Sequence, residues 1–151
     1  GTSTEVLCHF ADPSWTIVGY DLTERFIARA EHRARAGGFR NRLGEVVRPH
    51  FVCQSIAETL AAHGRPLAGA SVDFALSGGV VGLYMQPPAV AHLAAELARV
   101  VRPSGFVALD AGPAVPPRAL RRLLEAAGFR CVATARSAWL DPRPKIVALR
   151  R

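Results

Sequence analysis

Four residues able to do chemistry stand where an apolar stretch gives out: Asp21, Ser55, Ser77 and Asp110. The clearest is Asp21, in "TIVGYDLTERFIARAEHRARA" (residues 16–36), where an apolar run ends in a carboxylate and a helical pattern follows, opened by Thr23. A carboxylate just past a buried strand can accept hydrogen bonds from two vicinal hydroxyls, and a ribose offers such a pair. Each charge-assisted bond of this kind contributes about 1.5–3 kcal/mol, reason enough to use an acid there. The same carboxylate can instead cap the helix beginning near Thr23, or simply be solvated.

The elements that would position these residues alternate along the chain. Apolar residues at Val6, Leu7 and Phe10 predict a short helix over 4–11, and 16–20 reads as a strand. Phe26, Ile27, Ala30 and Ala34 share one face of the next helix, which Gly37-Gly38 should end. A short strand over 50–53, a helical turn or two over 56–62 and a strand over 72–76 follow. Val90, Leu93, Ala94, Leu97 and Val101 are in phase for a helix over 88–101, opened by proline and closed by a Pro103-Ser104-Gly105 turn. Residues 106–109 read as a buried strand, 116–127 as a helix stopped by Gly128, and 129–136 with 145–149 as an antiparallel pair joined by a proline-containing loop. Strands separated by single helices imply right-handed crossovers and a mainly parallel sheet with helices on both faces. Ligands of such sheets bind outside the carboxyl ends of the strands, where the four residues stand.

The 151 residues suffice for one domain with a real core, and half of them are apolar, a globular composition. No apolar run approaches the roughly 20 residues that span a bilayer, and the N-terminus lacks a secretory pattern. Cys8, Cys53 and Cys131 are isolated, which fits free thiols in the cytoplasm and neither a disulfide framework nor a metal site. The net charge of +7 raises the question of a polyanionic partner. Its arginines are scattered, with doublets only at Arg121-Arg122 and Arg150-Arg151 and no interleaved aromatic residues, so nucleic acid is disfavoured and a small-molecule partner is the default.

Four stretches together resemble the class I S-adenosylmethionine-dependent methyltransferases. "TIVGYDLTERFIARAEHRA" is similar to that family's second strand, ribose-binding acid and following helix; "SVDFALSGGVVGLY" to its fourth strand and the loop beyond; "VAHLAAELARVVRPSGFVALD" to the next helix, turn and fifth strand; and "RALRRLLEAAGFRCVATARSAW" with "KIVALRR" to the closing helix and terminal hairpin. The resemblance implies a Rossmann-like α/β fold, S-adenosylmethionine as cofactor, and methyl transfer to an acceptor the sequence does not name. It implies cofactor-binding roles for Asp21 at the ribose, Leu22 along the adenine or ribose, Ser55 and Ile56 near the adenine, and Ser77 and Gly78, followed by Gly79, beneath the sulfonium. Gly1 and Thr2, opening "GTS", look like the tail of the family's glycine loop, whose first strand and leading glycines do not appear. The chain is therefore expected to form one incomplete domain over 1–151, lacking the first strand.

No catalytic residue follows from the resemblance. Where many small-molecule members carry a histidine after the fourth strand, this chain reads "VVGLYMQ", and the nearby Tyr84 is a poor base at neutral pH. None of His9, His32, His50, His63 and His92 falls at an obvious catalytic position. Two other readings remain open: a non-catalytic, methyltransferase-like binding module, and a fragment of a nicotinamide-dependent oxidoreductase, which also places an acid on a ribose after its second strand.

Overall fold

An apolar run followed by a helix-period stripe can bury both only by laying the helix against the strand, and each half of this chain solves that problem separately. The computed structural model describes residues 2–136 and 143–151, and the chain forms two compact units, Gly1–Arg65 and Pro66–Arg151.

The N-terminal unit contains α1 (Thr2–Phe10), β1 (Val18–Asp21), α2 (Glu24–Arg35) and β2 (His50–Cys53). It closes with β3 (Ala61–Ala62), paired to β4 (Arg65–Pro66) in a small hairpin. β1 and β2 run parallel, with Val18 opposite His50 and Asp21 opposite Cys53, so both strands end at the same edge. Cys8, Ala11, Ile17, Ile27, Phe39, Val47 and Phe51 form the core. Gly19 is needed in β1 because the Phe51 ring lies where a side chain would begin: an added Cβ would stand 2.9 Å from it. The irregular stretch between α2 and β2 is organised by buried Asn41. Its side-chain oxygen accepts the Leu43 and Glu45 N–H groups, and its amide donates to the Ala11 carbonyl and the Glu45 carboxylate.

On the surface of this unit Arg33 donates two bonds to the Glu5 carboxylate, at 2.6 and 3.1 Å, and lies over the Phe39 ring. Both partners are about half exposed. Glu5→Gln is therefore expected to lower stability by less than about 1 kcal/mol, with the difference shrinking in high salt; urea unfolding at two salt concentrations measures it.

The C-terminal unit contains β5 (Val72–Leu76), α3 (Val81–Tyr84), α4 (Pro87–Val100), β6 (Val101–Asp110), α5 (Pro117–Ala126), β7 (Phe129–Ala135) and β8 (Lys145–Arg150). Its sheet has the order β5-β6-β8-β7, with β5 and β6 parallel and β8 antiparallel to both neighbours. The Rossmann-like α/β class and the C-terminal antiparallel pair are thus observed. α4 buries Val90, Leu93, Ala94, Leu97 and Val100, and α5 buries Leu120 and Leu124, as their spacing requires.

Three local expectations differ from the structure. The Pro103-Ser104-Gly105 turn does not precede the strand but lies within β6. Val101 already pairs with Val72, the next pair is Phe74 with Phe106, and the excess residues bulge out with Ser104 at φ +65°. Residues 56–62 form no helix; they make a turn and then β3, whose hairpin turns through His63 and Gly64, both at positive φ. Thr23 is the N-cap of α2, yet its hydroxyl makes no capping bond, and its own N–H donates to the Asp21 carboxylate. The proline-containing loop before β8 falls largely on residues 137–142, outside the described residues.

The three cysteines are free. Burial pushes the Cys8 thiol up to about 11, whereas Cys53 is exposed. Iodoacetamide at neutral pH is expected to label Cys53 first and Cys8 only on unfolding; peptide mass spectrometry gives the order.

Candidate functional site

In the N-terminal unit the parallel pairing of β1 with β2 brings Asp21 and Cys53 side by side, and the chain leaves both strands at this edge. The Asp21 carbonyl accepts the Gln54 N–H at 3.0 Å, which ties the two exits together. The Cys53 thiol reaches the Leu22 carbonyl at 3.6 Å. The Asp21 carboxylate accepts the Thr23 N–H through Oδ1 at 2.8 Å. Among the described residues Oδ2 accepts no hydrogen bond, so one oxygen is fixed by the backbone and the other can serve a ligand. Leu22, beside it, is 72% exposed. A small cleft lined by Thr4, Gly19, Asp21, Phe26 and Phe51 adjoins the carboxylate.

The loop after β2 is shaped by a residue that sequence reasoning missed. The Gln54 side chain donates to the Thr59 carbonyl at 2.6 Å and accepts the Ala61 N–H at 3.3 Å, so one amide spans the whole loop. Within it the Ser55 hydroxyl oxygen accepts the Ala57 N–H at 3.1 Å, which leaves its own O–H able to donate. Ile56 follows, half-buried. Asp21, Leu22, Ser55 and Ile56 therefore share one edge of one unit. Gly1 lies outside the described residues, and Thr2 is the first residue of α1.

The C-terminal unit has an edge of the same kind at the ends of β5 and β6. Ser77 leaves β5 with its N–H on the Ala108 carbonyl. Its hydroxyl donates to Asp110 Oδ1 at 2.6 Å, while the Gly82 N–H donates to Oδ2 at 3.1 Å. The backbone N–H groups of Gly79 and Val80 also stabilise the charge of this carboxylate. Asp110 is wholly buried, and Gly78, at the crest of the loop, is exposed. Burial alone would raise the Asp110 carboxyl, but the bonds from Ser77 and Gly82, with the Gly79 and Val80 N–H groups, together outweigh it and hold the group below its ordinary 3.8.

A carboxyl lowered by folding contributes stability that is complete above its unfolded value and is lost as pH falls through the folded one. Unfolding free energy is accordingly expected to decline on acidification below about pH 4, and Asp110→Asn should flatten that decline; urea titrations across the acid range measure both.

Of the histidines, His9, His32 and His92 lie on α1, α2 and α4, and the His50 and His63 rings stack 4.0 Å apart. No three His, Cys, Asp or Glu side chains among the described residues are grouped to hold a metal ion. No helix among them is long and apolar enough to cross a membrane.

The sequence matches the family described as a methyltransferase domain over residues 1–109. No curated protein matches it. Among solved structures, a SAM-dependent methyltransferase from Methanosarcina mazei superposes with a TM-score of 0.72 at 15% identity, covering 98% of this chain and 86% of that one. Magnesium protoporphyrin IX methyltransferase from Synechocystis, solved with bound SAM, gives 0.65 at 18% identity, over 90% of this chain and 60% of that one. The 1,6-didemethyltoxoflavin-N1-methyltransferase of Burkholderia thailandensis, solved with 1,6-didemethyltoxoflavin and S-adenosylhomocysteine, gives 0.60 at 21% identity, over 89% and 60%. The chain belongs to the methyltransferase domain family, with the α/β fold of enzymes that draw their methyl group from S-adenosylmethionine.

Proposed function

We propose that this chain binds S-adenosylmethionine through Asp21 and carries the methyl group to a small-molecule acceptor. The observation that carries the reading is the Asp21 carboxylate, set at the shared edge of two parallel strands with Oδ1 held by the backbone and Oδ2 left without a hydrogen bond among the described residues. That donor-poor, anionic group fits a sugar diol, which brings two O–H donors. Leu22 supplies an exposed apolar surface for the adenosyl group. Ser55 can donate its O–H, and Ile56 its N–H, to the adenine. Gly1 and Thr2 are assigned to the approach of the methionine moiety. Ser77 and Gly78 are assigned to the floor at its methyl end, where small residues leave an acceptor room.

Bound S-adenosylmethionine supplies the activated methyl and its own leaving group, so the chain's contribution is to bind and to orient. A small acceptor is supported by three apolar side chains exposed in and just past the Ser77–Gly82 loop, Val80, Leu83 and Tyr84. It is also supported by the molecules named for two of the similar enzymes, magnesium protoporphyrin IX and 1,6-didemethyltoxoflavin. Free thiols favour a reducing compartment such as the cytoplasm.

We further propose that residues 1–151 belong to one methyltransferase domain. The family match supports this, since residues 1–109 run from the first compact unit into the second. Calorimetric titration with S-adenosylhomocysteine and, separately, with NAD tests the cofactor assignment. Binding of the first and not of the second is expected; NAD binding, or neither, would count against it.

A further inference from the structure

We propose that Asp110 is a positioning residue for methyl transfer: its buried carboxylate staples both ends of the Ser77–Gly82 loop and so fixes the surface that Ser77 and Gly78 present. The inference rests on the assignment of those two residues to the methyl end of the cofactor. Oδ1 takes the hydroxyl of Ser77, where the loop leaves β5, and Oδ2 takes the N–H of Gly82, where α3 begins. Between these two ends, the backbone N–H groups of Gly79 and Val80 add to the stabilisation of the charge. These donors all come from one six-residue segment, and the anion they surround has no access to solvent.

The loop cannot hold this shape by its own secondary structure. Gly79 sits at φ +95°, where a side-chain-bearing residue is strained. Its far end is pressed onto the chain just after Asp110. An added Cβ on Gly82 would lie 2.2 Å from the backbone of Ala111 and Gly112, and the Gly82 carbonyl accepts the Ala114 N–H at 3.0 Å. Asp110 thus sits at the root of two loops that grip each other, and its charge is what holds the Ser77 hydroxyl and the Gly82 N–H at the two ends of the first. Exposed Gly78 takes no part in this bonding and is the surface offered outward. Asp110 touches no ligand and acts through Ser77.

The test is amide hydrogen exchange on the whole chain, with and without S-adenosylhomocysteine, in wild type and Asp110→Asn. The Asn side chain keeps the size but loses the charge, and its amide group opposes donors it should accept. Protection at Gly82 is expected to fall about ten-fold or more while that at Val107 and Ala148 holds, and affinity for S-adenosylhomocysteine to fall about ten-fold. Unchanged loop protection, or unchanged affinity despite a loosened loop, would overturn the proposal. Should Asp110→Asn fail to fold, Ser77→Ala gives the same readouts with only one donor removed, and Ser77→Thr, which keeps the hydroxyl, should restore them. If S-adenosylhomocysteine leaves the wild-type Ser77–Gly82 amides undisturbed although the variants loosen them, the methyl-end assignment fails and Asp110 is a structural staple alone.

Discussion

Replacing Asp21 by alanine is expected to weaken binding of S-adenosylhomocysteine about 100-fold. Two bonds from sugar hydroxyls to a carboxylate contribute about 1.5–3 kcal/mol each, and the lower part of that range applies because Asp21 is only half-buried. The substitution also removes the acceptor of the Thr23 N–H, which should lower stability by about 1 kcal/mol. Asp21→Asn separates the two effects. Its side-chain oxygen can still accept the Thr23 N–H, so stability should stay close to wild type, while loss of the charge should still cost about ten-fold in affinity. Calorimetric titration gives the affinities and urea unfolding the stabilities. Both variants binding as wild type would leave Asp21 a helix cap and nothing more.

Gly82→Ala is expected to be the most damaging single-methyl substitution in the C-terminal unit, lowering stability by about 3 kcal/mol or more. The new Cβ would lie 2.2 Å from the Ala111 carbonyl carbon and the Gly112 nitrogen and 2.6 Å from the Ala111 Cα. All three are backbone atoms at the end of a buried strand, so no rotamer change relieves the clash. The cost is steric alone, since Gly82 is not among the glycines at positive φ. Gly44→Ala gives the contrast: a Cβ there meets nothing within 4 Å, but φ is +81°. It should cost about 1–2 kcal/mol through backbone strain. Urea midpoints of the two variants would rank them; a Gly82→Ala protein as stable as Gly44→Ala would contradict the close packing of the two loops.

The parts of this fold legible in the sequence are those governed by periodicity. Val90, Leu93, Ala94 and Leu97 announce the buried face of α4, and the run ending at Asp21 announces β1 and the chemistry at its tip. What escaped reading depends on single side chains reaching backbone groups several residues away. Gln54 shapes the 55–60 loop by bonds to Thr59 and Ala61, and no hydrophobic pattern encodes such bonds. That Asp21 holds the Thr23 N–H while the Thr23 hydroxyl caps nothing is equally invisible, because both residue types cap helices well. Asp110 stood out by its place at a strand end. Its partner Ser77 lies 33 residues earlier, and only the parallel pairing of β5 with β6 brings the two together.

Whether Asp21 grips the sugar is tested most directly by pairing two ligands with two proteins: S-adenosylhomocysteine and its 2′,3′-dideoxy analogue, each titrated into wild type and Asp21→Ala. Wild type should prefer the hydroxylated ligand by about 100-fold, with the preference largely gone in the variant. A preference of the same size in both proteins, or none in wild type, would contradict the role of Asp21.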